Sequence, residues 1–69
     1  MDILKFIGEL AKKERYSLRS LNDSLNTIRD KEVLNESFYR KLKTRAIKYT
    51  EMEQIADLLG YDIVWKKRE

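Results

Sequence analysis

A chain of 69 residues with no cysteine and no histidine has only side-chain packing, or packing joined to self-association, to hold it folded. Disulfides and thiolate ligands are excluded, and without imidazole nearly every zinc, iron or copper site is out of reach. A domain this short buries only about 60% of the surface its unfolded chain exposes. The core is therefore thin, with little room for an enclosed catalytic cavity of roughly 300 Å³ or more. The carboxylates do not compensate. Glu51 and Glu53 are two apart and do not face each other on a helix; Asp57 and Asp62 bring neither a glycine-rich phosphate loop nor a histidine base beside them. The sequence points away from an enzyme and implies no cofactor and no metal.

Hydrophobic residues make up 42% and charged residues 39%, which suits a folded chain and not a disordered one. No apolar run approaches the 18 or so residues of a membrane span. The opening MDILKFIGEL lacks the basic and apolar regions of a secretory signal, so a cytoplasmic location and no membrane partner are expected. With no proline and two glycines, the chain reads as short helices with short connections.

The periodicity divides it. Ile3, Ile7 and Leu10, widened by Leu4 and Ala11, predict a first helix over residues 2–14, capped by Asp2. Gly8 inside it suggests close approach by another helix. Leu18, Leu21, Leu25 and Ile28, spaced 3, 4 and 3, predict a second helix over about 18–26, capped by Ser17. Residues 28–34 have no decisive pattern. Phe38 and Leu42 form the buried edge of a third helix from Glu36 to about Thr44, capped by Asn35. Residues 45–49 connect to a fourth helix, where Thr50 and Glu53 make a capping-box pattern. Met52, Ile55, Ala56 and Leu59 supply its stripe, and Gly60 its stop. The period then falls to two: Tyr61, Ile63 and Trp65 alternate with Asp62, Val64 and Lys66, a strand pattern. One strand needs a partner, and the simplest is its own copy across a two-fold axis. Tyr61, Ile63, Val64 and Trp65 are the candidate dimer residues. The expected fold is mainly α: four short helices in residues 1–60 and one C-terminal strand and tail in 61–69.

Charge is unevenly spread. Residues 1–35 carry seven basic and six acidic groups, net +1. Residues 36–50 carry Arg40, Lys41, Lys43, Arg45 and Lys48 against Glu36 alone, net +4. Residues 51–69 are net −2. A basic block confined to fifteen residues is the electrostatic footprint of a polyanion binder.

The order of a leucine-striped second helix, a basic third and a capped fourth resembles the lambda-repressor/Cro-like helix-turn-helix family over roughly residues 1–60. SLRSL at 17–21 looks like the start of the positioning helix, NESFYRKL at 35–42 like the recognition helix, and MEQIADLLG at 52–60 like the closing helix. YDIVWKK at 61–67 resembles a phage or mobile-element subgroup that ends in a strand. The connection 26–34 is longer than the family's usual turn of about three or four residues, and Thr44-Arg45-Ala46 stands where the family often has glycine.

The resemblance implies sequence-specific binding of double-stranded DNA by a homodimeric transcription regulator, a repressor being the common kind. A major groove about 12 Å wide admits one helix. Arg40 is the first candidate for base contact, because a guanidinium can bond guanine O6 and N7 together; Glu36, Ser37 and Lys41 are the others. Lys43, Thr44, Arg45, Lys48, Tyr39 and Tyr49 are candidates for the DNA backbone, with Ser17, Arg19 and Ser20 at the second helix's start. The alternative is a small interaction module, an inhibitor or adaptor, that turns the same basic surface on a protein.

Overall fold

A computed structural model describes residues 2–68; Met1 and Glu69, the outer ends of the two expected units, lie outside them. Four helices follow one another: α1 (Ile3–Lys13), α2 (Leu18–Asn26), α3 (Asn35–Thr44) and α4 (Tyr49–Leu59). The mainly helical expectation holds, with helix limits within two residues of those read from periodicity.

Each helix forms because its apolar stripe finds a common centre. Ile7 and Ala11 of α1, Leu21 and Leu25 of α2, Phe38 and Leu42 of α3, and Ile55 and Leu59 of α4 make one buried cluster. Each helix contributes two residues, so no helix is stable without its neighbours. α1 packs on α2 and α3, and α2 packs also on α3 and α4. Ile28, the expected end of the α2 stripe, falls beyond the helix and is exposed.

The ends differ in how much the sequence announces them. Asp2 accepts from the Lys5 N–H at 3.0 Å, as expected. Ser17 accepts from the Ser20 N–H, and Ser20 reciprocates on the Ser17 N–H, closing a capping box with serine in the return position. The expected caps of the other two helices do not form. α3 starts one residue early, after Leu34, because the Asn35 side chain is engaged elsewhere. α4 starts at Tyr49, after Lys48, which carries Thr50 into the helix and away from the capping position. Among the described residues with positive φ, Arg15 and Arg45 join Gly60 in closing helices in the left-handed region. In each case the next residue's N–H returns to a carbonyl five back: Tyr16 to Ala11, Ala46 to Lys41, Tyr61 to Ala56. Without glycine this conformation costs on the order of 1 kcal/mol, which the returning hydrogen bonds at the helix end offset in part.

The C-terminal expectation is corrected in part. Residues 61–68 are irregular, and no strand is present among the described residues of this single chain. The segment has no second strand to pair with, and it lies instead beside α1 and α4. The Tyr61 hydroxyl reaches the Glu14 carboxylate at 3.3 Å. Gly8 is corrected too: a Cβ built there meets nothing within 4 Å, so it serves no close helix approach.

Two substitutions check this packing by denaturant unfolding. Gly8→Ala should stabilise by about 0.5–1 kcal/mol, since helix propensity rises with no clash. Leu21→Ala, which empties the centre of the cluster, should cost about 2–5 kcal/mol.

Candidate nucleic-acid interface

Burial of Phe38 and Leu42 fixes the rotation of α3 about its axis. Residues advance 100° each along a helix, so the opposite side carries Arg40 with Glu36, Lys43 and Thr44 around it. All four are exposed. With Asn35 and Tyr39 they line a shallow depression along the outer face. A flexible guanidinium and an ammonium therefore stand free on a helix whose back is locked to the core.

Not every candidate from the sequence belongs to that face. Glu36 and Arg40 lie on it, and half-buried Ser37 lies at its edge. Lys41 points to α4, where its Nζ stands 3.2 Å from Glu51 Oε1. Among the backbone candidates, Arg19, Tyr39, Lys43, Arg45, Lys48 and Tyr49 are exposed. The three aliphatic hydroxyls, those of Ser17, Ser20 and Thr44, are engaged within the chain. Thr44 Oγ1 donates to the Arg40 carbonyl at 2.8 Å. Ser17 Oγ donates to Ser20 Oγ, and Ser20 Oγ to the Ser17 carbonyl, each at 3.2 Å. Cationic contact at the start of α2 thus falls to Arg19.

What presents α3 is a polar latch that the sequence reading did not identify. Asn22 of α2 is 1% exposed. Its Nδ2 donates to the Val33 carbonyl at 2.8 Å and to Asn35 Oδ1 at 2.9 Å. One helical turn on, Asn26 grips both backbone groups of Val33 at 3.0 Å, donating to its carbonyl and accepting from its N–H. The eight-residue connection 27–34 is thereby tied back to α2, and the start of α3 is tied to the same amide.

Arg29 completes the latch. Its Nη1 donates to Asn22 Oδ1 at 2.7 Å and to Asn26 Oδ1 at 2.8 Å. Its guanidinium carbon lies 5.4 Å from the centroid of the Phe38 ring, within cation–π range. Nη2 stands 3.8 Å from Glu51 Oε2, near enough for attraction but too far for a hydrogen bond. The side chain is only 7% exposed. Burial lowers its pKa and the Glu51 carboxylate pulls it back up; a guanidinium in this setting remains a cation. Glu51 therefore serves two cations, buried Arg29 and half-buried Lys41, and joins α4 to α3 and to the connection.

A signal for the latch was present. Asn22 sits within the leucine stripe of α2, between Leu21 and Leu25, where an apolar residue is expected. A buried amide there demands partners, but it does not say which.

No family model, no curated protein and no solved structure matches the chain. Among the described residues no cluster of carboxylates is placed to hold a metal, and no helix is long and apolar enough to cross a membrane.

Glu51→Gln keeps the shape but leaves Arg29 without a counter-charge. Unfolding should become easier by about 3 kcal/mol, the usual scale for removing one partner of a buried pair. A change below about 0.5 kcal/mol would show that the Arg29 charge is compensated elsewhere.

Proposed function

We propose that the outer face of α3 enters the major groove of double-stranded DNA, with α2 and α3 working as a helix-turn-helix pair. The observation that carries this is the combination on one short helix of a fully buried edge and an opposite face bearing Arg40, Lys43 and Glu36. A helix read by DNA must be held rigidly from behind and offer polar side chains in front, and the latch supplies the rigidity. Lys48, Arg45 and Arg19 extend the positive surface beyond α3, where contacts with phosphate fix register without reading bases.

In this reading Arg40 is the base-reading residue, and Glu36 favours cytosine N4 while repelling misplaced phosphate. Ser37 contributes at the edge. Lys41 joins in by leaving Glu51, a partner it holds from a partly solvated position. The hydroxyls of Ser17, Ser20 and Thr44 support the helix ends and act on DNA as acceptors or through rearrangement of their internal bonds. The protein acts in the cytoplasm as a homodimeric regulator of phage or mobile-element type, and its binding site has two-fold symmetry.

Selection of sites from random duplexes, followed by affinity measurement across salt concentrations, tests the reading. Arg40→Ala should lose about 1–3 kcal/mol on the preferred site and relax one base position. Lys48→Ala should weaken all duplexes alike and flatten the log–log salt slope by about one unit. Binding with no sequence preference and no salt dependence would overturn the reading and favour a protein partner for this face.

A further inference from the structure

On the side of the molecule formed by α1, α4 and the tail lies an open apolar groove. Phe6 and Leu10 of α1, Met52 and Ala56 of α4, and Ile63 and Trp65 of the tail are among its walls, which enclose about 790 Å³. The tail lines this groove without filling it. Val64 is 78% and Trp65 85% exposed, and Phe6 and Tyr49 at the rim are also exposed. So many large apolar side chains open to water around one groove mark an interaction surface.

Charge selects the occupant. Along α4, Glu53 and Asp57 follow the groove-lining Met52 and Ala56 by one residue each and are exposed; at 100° per residue they stand on the outer flank of the groove wall. Glu9 is exposed beside Leu10 on α1, with Lys13 an exposed opposing charge one turn on. The α4 flank is therefore acidic and attracts cations, whereas exposed Lys5 beside Phe6 and Lys48 beside Tyr49 place positive charge at other edges of the groove. The chain itself carries the matching piece: the exposed apolar pair Val64–Trp65 followed at once by Lys66, Lys67 and Arg68. A surface that holds both an apolar groove with one acidic flank, on α4, and an apolar segment with a basic end is self-complementary, which is what a two-fold dimer requires.

We infer that the groove receives a second copy of this chain, with Val64 and Trp65 of each protomer seated in the open part of the other's groove and Lys66 and Lys67 against Glu53 and Asp57. This specifies the two-copy reading given above, replacing strand-to-strand pairing with tail-in-groove packing, and it does not depend on DNA binding. The charge block of α3 takes no part in it.

Sedimentation equilibrium of the full chain without DNA tests this, with circular dichroism reporting the fold of each variant. Wild-type protein should dimerise. Trp65→Ala should weaken dimerisation by about thirtyfold, as a central apolar contact does, and Phe6→Ala at the rim by about fivefold. The paired reversals Glu53→Lys with Asp57→Lys, and Lys66→Glu with Lys67→Glu, lie at exposed positions; each pair alone should weaken it about tenfold. All four together should restore it to within about threefold of wild type, which a loss of folding cannot mimic. A wild-type monomer at about 100 μM would overturn the inference. So would a dimer sensitive to Trp65→Ala but indifferent to Phe6→Ala and to the α4 reversal, because the tails would then be pairing with each other. Loss of DNA binding by a dimer that shows the full pattern would bear on the α3 reading alone.

Discussion

The hydrogen bonds of Asn22 hold the start of α3 against α2. One buried amide joins α2 to the Val33 carbonyl, to the first residue of α3 and to the Arg29 guanidinium. Leaving a buried amide unpaired costs about 1–3 kcal/mol, so its partners are strongly specified, and each partner belongs to the segment that must be positioned. Hydrophobic burial brings α3 to the core but tolerates sliding. The amide does not, because its bonds have direction and length. The eight-residue connection is thereby tied to α2 at Val33 and Arg29.

The same network divides the charges of the chain into those that face inward and those that face water. Arg29 spends its positive charge on two asparagines, a phenyl ring and Glu51. Lys41 shares Glu51. Arg40 and Lys43, one residue before and two after Lys41, keep theirs for the surface. On the other side, α4 turns Glu53 and Asp57 outward beside an apolar groove. The molecule thus has a cationic face mounted on a polar latch and an acidic, apolar face beside its tail. Opposite surface chemistry on two sides of so small a body suits one face for a polyanion and the other for a protein surface.

Much of the fold was legible because period and capping speak locally. The stripes of α1, α2 and α4, the buried pair Phe38 and Leu42, the Asp2 and Ser17 caps and the Gly60 stop all follow from spacing within one turn or two. Part of what failed to read depended on partners outside the local turn. Asn35 looks like a cap, but the amide of Asn22 claims its side chain. Thr50 and Glu53 look like a capping box, but α4 begins two residues sooner, with Lys48 at the capping position. Arg15 and Arg45 end helices where glycine is the usual sign, in a conformation that their own preferences oppose. Residues 28–34 lack periodicity, and they are held by side-chain bonds to Asn22 and Asn26 of the preceding helix, which periodicity does not reveal. On the candidate site, the outward direction of Arg40 followed from the helical wheel, whereas the turning of Lys41 toward Glu51 could not, since Glu51 lies on another helix. The tail's alternation was legible too, but alternation alone does not choose between a strand partner and a groove.

The most direct test of the central claim is amide chemical-shift mapping during titration with duplex DNA, which locates contact without knowledge of the preferred site. The account predicts that shifts gather on Glu36, Arg40, Lys43 and Thr44, extend to Arg19 and Lys48, and fade as salt is raised. Shifts confined to the groove around Phe6, Met52 and Trp65, or a spectrum unchanged by DNA at low salt, would contradict it.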